Sequence, residues 1–465
     1  MTQTTVVENK FPPQIKFIVG NEACERFSYY GMRSILVVFM TTHLMMAAST
    51  AKTSYHLFVS ACYLLPVLGG YISDRFLGKY RTILYLSIVY CLGHLTLALW
   101  ENQTGTYWGL ALIALGSGGI KPCVSAHVGD QFTEKNKQLL QKVFDIFYWS
   151  VNFGAFFSTL MIPVILNKVG PSLAFGIPGI LMAIATFVFW MGRKQYVHVP
   201  PTGKGGSVGF MPILIYSLRN FSKKKDGESV LDIAREKYTA EEVEAAKAAA
   251  SIFKVFITVS IFWALFDQSG STWVLQAQKM DLNFMGMTLD PSQLQALNPI
   301  MVMVLIPIFS YFVYPAIEKL GFKLSPLRKM SMGMVLAALS FVSVGIFQLA
   351  LDSGHQLSAM WQILPYLIIT CSEIMVSITG LEFAYTQAPR SMKSTIMSFW
   401  LLTVFVGNFL DAYIAKINVF TGSGEFFFFA GLMFVVSIIF VISASRYKVR
   451  NFIETGTLAP EPAAS

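Results

Sequence analysis

Glu22, Glu25, Arg26 and Arg33 lie inside an apolar stretch over residues 15–46, with Tyr29 and Tyr30 between the two arginines. Spacings of 3, 4 and 7 residues put them on one helical face. A charge at membrane depth costs at least about 2.5–3.5 kcal/mol on insertion scales, so such a face persists only against a wet cavity or against opposite charges. Three further charges are buried in apolar sequence: Lys121 in the first half of the chain, and Asp267 and Glu373 in the second. A cavity between the halves would therefore be positive on one wall and negative on the other. That polarity suits a zwitterion whose carboxylate and amino group are a short peptide apart, since two extended residues span about 7 Å. A single-signed anion such as nitrate would use one wall only.

The elements that must hold these groups are membrane helices. The chain has 465 residues, 54% hydrophobic and 13% charged, with mean hydropathy +0.55, whereas soluble domains carry about 25% charged residues. Runs of about 20 apolar residues recur along almost the whole length, which excludes a large soluble α/β enzyme. Hydropathy predicts twelve spans, over 15–46, 53–73, 80–100, 106–128, 139–167, 173–192, 251–278, 292–317, 327–351, 361–386, 394–419 and 425–445. The first is too long and too charged for the apolar core of a cleavable signal and is expected to remain as a span.

Lys and Arg gather at alternate ends of the spans: Arg75, Lys79 and Arg81; Lys135, Lys137 and Lys142; the segment after Arg193; Lys319, Lys323, Arg328 and Lys329; Arg390 and Lys393; Arg446, Lys448 and Arg450. The opposite ends hold little beyond Lys52, Lys168, Lys279 and Lys416. This positive-inside pattern predicts both termini in the cytoplasm and explains the net charge of +9 without nucleic acid. The five cysteines (Cys24, Cys62, Cys91, Cys123, Cys371) all sit in apolar spans and read as packing residues rather than a disulfide or metal framework. Residues 195–250 are polar, with glycines at 203–206, a charged run at 223–226 and an acidic helical stretch at 238–247; their apolar piece, 208–218, is too short to cross a bilayer and is placed at the cytosolic surface. The domains expected are thus a six-helix bundle over 1–194, a cytosolic linker over 195–250, and a second bundle with tail over 251–465. Two such halves resemble the major facilitator fold, an all-α polytopic architecture with the substrate near the midplane.

Three groups of residues sharpen that resemblance. Gly70, Asp74, Arg75, Gly78, Lys79 and Arg81 resemble the major facilitator signature loop between the second and third spans, whose role is conformational. Glu22-Ala23-Cys24-Glu25-Arg26-Phe27-Ser28-Tyr29-Tyr30-Gly31 is similar to the ExxERFxYYG motif of the proton-coupled oligopeptide transporter family. Phe147-Tyr148-Trp149-Ser150-Val151-Asn152-Phe153-Gly154 is similar to that family's FYxxxNxG signature, and further similarity runs through 262–268 and 373–389.

The resemblance implies a proton-coupled importer of di- and tripeptides that works by alternating access in the cell (inner) membrane, as a monomer in membrane lipid, without a cofactor and without enzymatic chemistry. It assigns Arg26, Arg33, Tyr30 and Lys121 to the peptide carboxylate, and Asn152, Asn298 and Glu373 to the peptide amino terminus. Tyr29, Tyr63, Tyr148, Trp263 and Trp400 would line side-chain pockets, so that affinity rests on the backbone ends common to every peptide. Proton coupling falls to Glu22, Glu25, His56 and Asp267, with Lys121 and Asp267 forming an ion pair between the halves. For His56, a proton acceptor and a hydrogen-bonded packing residue both stand as readings. Two departures from the family's bacterial pattern stand out: the linker lacks two additional spans found in many members, and position 267 carries Asp where Glu is common. A same-fold carrier of nitrate or another small solute is the competing reading. An integral membrane enzyme finds no HExxH, GxSxG or phosphate-cradling loop in a plausible context, and a sensor lacks a sizeable output domain.

Overall fold

The structure is a computed structural model, described over residues 10–133, 136, 139–201, 209–389 and 392–447; of 141, 385, 393 and 394 only the backbone is described. Lys135, Lys137, Arg390, Lys448 and Arg450 of the charge asymmetry, the glycines at 203–206 and both chain ends lie outside these residues.

The first group of helices is α1 (Ile15–Val38), α2 (Ala48–Ile72), α3 (Gly78–Leu99), α4 (Gln103–Asp130), α5 (Leu140–Lys168) and α6 (Pro171–Met191). Their shared core runs from Ile15 to Tyr196. Backbones approach closely where side chains are smallest: a Cβ on Gly69 of α2 would lie 2.4 Å from the Gly119 Cα of α4. Such small-residue seams drive helix association in lipid, where burying apolar surface from water no longer distinguishes one helix contact from another. A short amphipathic helix, α7 (Phe210–Arg219), then leads to the second group.

That group comprises α8 (Ala240–Phe256), α9 (Val259–Asp267), α10 (Thr272–Ala277), α11 (Leu297–Ile308), α12 (Tyr314–Lys319), α13 (Pro326–Asp352), α14 (Ile363–Glu373), α15 (Thr379–Gln387), α16 (Lys393–Ile417) and α17 (Ser423–Ser445). A separate core, from Phe210 to Phe440, holds it together. Wide π turns over Ile374–Ile378 and Phe309–Val313 join α14 to α15 and α11 to α12, so each pair is one continuous rod. A π turn next to a polar residue is a common functional device, and Glu373 is the residue before Ile374.

Among the described residues nine helices are long and apolar enough to cross a membrane. One of them, Ala48–Leu99, has 52 residues and turns at Gly78, where φ is +73°, so it crosses twice. The bent pair Ala240–Phe256 and Val259–Ala277, at 44°, adds another crossing, and the 24-residue α1 carries charges in its interior. The architecture is all-α and polytopic, consistent with twelve spans. Large apolar side chains such as Leu92, Ile184, Val304 and Phe434 are exposed on the outer faces, as lipid contact requires.

One boundary differs from expectation. The acidic stretch at 238–247 is helical but continuous with the seventh span, since α8 begins at Ala240. Thr239 and Glu242 form a reciprocal cap, with the Glu242 carboxylate accepting from the Thr239 N–H at 2.9 Å. Val243, Ala246 and Ala249 are buried on one face while Glu241 and Glu244 stay outside, so alternating composition conceals an ordinary amphipathic helix.

Candidate functional site

α1 carries the charged face. Arg26 Nε donates to Glu22 Oε1 at 2.7 Å and lies 2.8 Å from Glu25 Oε2, while Ser117 of α4 donates to Glu25 Oε1 at 3.1 Å. All three groups are at most 9% exposed. A helix can hold them because each has a charged or hydroxyl partner; removing one alone would strand its neighbour.

Two turns further along α1, Arg33 crosses to the other group. Its guanidinium forms an ion pair with Asp267 at the end of α9, its Nε donates to the Tyr55 hydroxyl at 2.7 Å, and it lies over the Tyr55 ring. Asn408 of α16 donates to the second Asp267 oxygen at 2.6 Å. Its amide oxygen lies 2.9 Å from His56 Nδ1, and His56 Nε2 is 2.8 Å from Ser271 Oγ. Asp411 approaches His56 to 3.5 Å and accepts from Gln268. His56 is therefore fully embedded in a polar network between the two groups.

The expected pair of Lys121 with Asp267 is corrected here: Asp267 is held by Arg33 and Asn408. Lys121 extends instead within the first group, its ammonium 4.3 Å from the Tyr63 ring centroid and 4.8 Å from that of Tyr29, with no hydrogen-bond partner among the described residues. Ring faces stabilise the cation where no carboxylate reaches.

Below the Arg33–Asp267 contact lies a cavity of about 240 Å³. Of the residues singled out by sequence, Tyr30, Arg33, Tyr63, Asn152, Trp263, Asp267, Asn298 and Glu373 line it. Asn298 donates to Glu373 at 2.8 Å, forming an acidic corner opposite the arginine. Glu22, Glu25, Arg26, Tyr29, Lys121, Tyr148, Trp400 and His56 are not on its wall. Trp400 packs edge-on against Trp263 at 6.1 Å, Tyr29 against Tyr30 at 5.5 Å, and Tyr148 is half-exposed.

Polar bridges between the two groups gather at one end. Lys52 reaches Glu425 at 2.6 Å, Gln295 donates to Ser34 and Gln293 to Leu160, and Asn167 meets Asp290, while midway along α2 and α16 Ser60 donates to the Phe405 carbonyl at 3.0 Å. Alternating chain direction brings the end of α1 and α5, the start of α2 and α17 and the end of α16 to that same side. Asn408, Asp411, Lys52 and Glu425 were not among the expected site residues. Asp411 carried a signal, a carboxylate inside an apolar span; Lys52 and Glu425 sit at span ends, where charges are ordinary.

Helices that cross the bilayer many times, arranged in two cores around a polar cavity, define a multi-pass membrane transporter. Residues 80–423 match the profile of the POT family, and the chain belongs to that family. It is 39% identical over 400 residues to solute carrier family 15 member 2 of Homo sapiens, covering 81% of this chain and 55% of that protein. To solute carrier family 15 member 1 of Homo sapiens it is 36% identical, covering 84% and 59%. The chain thus spans about half the length of these relatives. The crystal structure of the POT family transporter PepTSo superimposes with TM-score 0.88 at 41% identity, over 95% of this chain and 99% of that one. An auto-inhibited POT family peptide transporter gives 0.87 at 38% identity, over 97% and 100%.

Proposed function

We propose that the chain is a proton-coupled symporter that imports di- and tripeptides by alternating access. The bipolar cavity carries the reading. Arg33 with Tyr30 on one wall and the Glu373–Asn298 corner on the other offer opposite charges to the two ends of a zwitterion, and Tyr63 and Trp263 offer aromatic faces to its side chains. A cavity of about 240 Å³ lies just below the roughly 300–1,000 Å³ of drug-sized sites, which favours a short peptide over a longer chain. Relatives named as peptide transporters, among them peptide transporter family 1 of Drosophila melanogaster at 39% identity, support the same substrate class. A carrier of nitrate or another small anion would leave the Glu373–Asn298 corner without a function.

In this reading residues 1–194 and 251–465 are the two bundles, joined by the linker 195–250. The chain acts as a monomer in the cell (inner) membrane with both termini cytoplasmic, and catalyses no covalent reaction. With that orientation the bridged end faces outward and the state is closed to the outside. Peptide arrival brings a carboxylate to Arg33 on the cavity wall and competes with its partner Asp267. Protonation of Asp267 would weaken its hold on Arg33 and release the closed end, while Glu22 and Glu25 exchange partners around Arg26.

Uptake of labelled dialanine into proteoliposomes, with and without an inward proton gradient, tests the proposal. Gradient-stimulated accumulation is expected. Well-folded protein that takes up no peptide under either condition would overturn it.

A further inference from the structure

A second cavity, of about 470 Å³, lies away from the central one, at the start of α3. One side is the first turn of α3, with Gly78, Lys79, Tyr80 and Arg81; the other is the extended strap that follows α6, with His198, Val199 and Pro200. The strap is held in place by Gln131, whose side chain accepts from the Val197 N–H at 2.9 Å and donates to the Val197 carbonyl at 3.3 Å. Tyr196 closes the back by stacking among Tyr80, Phe189 and His127.

Three independent features of this cavity favour an anion. The 22-residue helix α3 starts without a side-chain cap; the Gly78 N–H is taken by the Ser73 carbonyl, and the rest of the first turn, with Lys79 and Tyr80, lines the cavity at the positive end of the helix dipole. Lys79 and Arg81 add two cations; Asp130 engages Lys79 at 2.7 Å, and Arg81 has no ion-pair partner among the described residues. His127, only 1% exposed, lines the same cavity, and its ring Nε2 has no hydrogen-bond partner among the described residues. A buried ring nitrogen without a partner is costly in isolation and is satisfied by a hydroxyl or an oxyanion. A phosphate group fits all three: it accepts several hydrogen bonds in a fan and carries the charge that a helix start and an arginine bind together.

We propose that this cavity binds a phosphate group, presented either by an anionic lipid headgroup at the membrane surface or by soluble phosphate. Exposed Phe76 and Tyr71 beside it place the cavity where lipid chains would meet headgroups. Occupancy would tie the strap at the start of the linker to the α2–α3 turn, since both walls then share one ligand.

Native mass spectrometry of the full chain in micelles containing phosphatidylglycerol and phosphatidylcholine, with and without inorganic phosphate, reads the occupancy. Wild-type protein is expected to retain phosphatidylglycerol in preference to phosphatidylcholine, or to hold inorganic phosphate when the lipid is absent; the first outcome identifies the lipid source and the second the soluble one. Arg81→Gln, on an exposed position that folding does not need, should lower the occupancy about fivefold, and His127→Gln should lower it as well. Lys323→Gln, an exposed cation elsewhere, should leave it unchanged. Equal retention by wild type and Arg81→Gln, equal loss in Lys323→Gln, or no bound phosphate group in any form would overturn the proposal. If His127→Gln does not elute as a monodisperse species, the Arg81 and Lys323 variants decide the matter.

Discussion

Asp267 meets two partners from two other helices, Arg33 of α1 and Asn408 of α16, and so reports on the union of the two halves of the molecule. Asp267→Asn keeps the shape and removes the charge, leaving Arg33 buried without its counter-ion. Gradient-driven accumulation of dialanine should fall at least about tenfold, a cost of roughly 1.4 kcal/mol or more, while peptide exchange without a gradient persists; full accumulation would show that another group couples the proton. His56 presents the complementary case. Both ring nitrogens are within hydrogen-bond distance of groups on the second half, Asn408 and Ser271, and Asp411 is 3.5 Å away. A glutamine can satisfy one such contact but cannot take up a proton, so His56→Gln is expected to displace the pH profile of uptake. A profile that stays where it was would leave His56 a packing group.

At the scale of elements, the helices carrying the site are set by their smallest residues. Gly69 faces Gly119 so closely that an added Cβ would sit 2.4 Å from its Cα, and a Cβ added to Gly407 of α16 would sit 2.3 Å from the Ser260 carbonyl oxygen. Adjacent Gly70 has nothing within 4 Å. Gly69→Ala should therefore push α2 from α4 and cost about 1–3 kcal/mol, visible as a lower melting temperature of the purified protein. Gly70→Ala should melt at or above the wild-type temperature, because it only improves helix propensity. Equal melting of the two variants would mean that the seam yields without strain. The same logic explains the π turn after Glu373: a widened turn re-aims the carboxylate toward Asn298 without breaking the rod.

For the whole molecule, the question is which end stays shut. Lys52 and Glu425 join the two groups with side chains only 10% and 13% exposed, and Gln293 and Gln295 reinforce the same end through backbone carbonyls. Lys52→Gln or Glu425→Gln alone strands a partly buried charge and should shift the population toward the state open at this end, measured as a longer distance between spin labels placed across it. The double variant should recover part of the wild-type distance, and a double-mutant cycle should give a coupling of about 1 kcal/mol or more. Additive single effects would show that the pair does not hold the end closed.

How much of this was legible in the chain differs by scale. The membrane class, the run of spans, the helical face of Glu22, Glu25, Arg26 and Arg33 and the family follow from local order, because hydropathy and motif spacing are properties of contiguous residues. The structure brings Asn298, Glu373, Tyr30, Tyr63 and Trp263 to one cavity, and their roles toward a peptide belong to the proposal. Partner choice was not legible. Lys121 faces aromatic rings and Arg33 takes Asp267, because reach across a cavity depends on helix rotation and depth, which sequence separation does not encode. Nor could span-end residues such as Lys52 and Glu425, 373 positions apart, be told from ordinary interfacial charges until packing set them face to face. The sequence by itself determined which charges must be buried in membrane helices; only the tertiary structure decided which of them meet, since two groups of helices can be brought together in many rotations and the contacts of Arg33 with Asp267, His56 with Asn408 and Lys52 with Glu425 exist in only one of them.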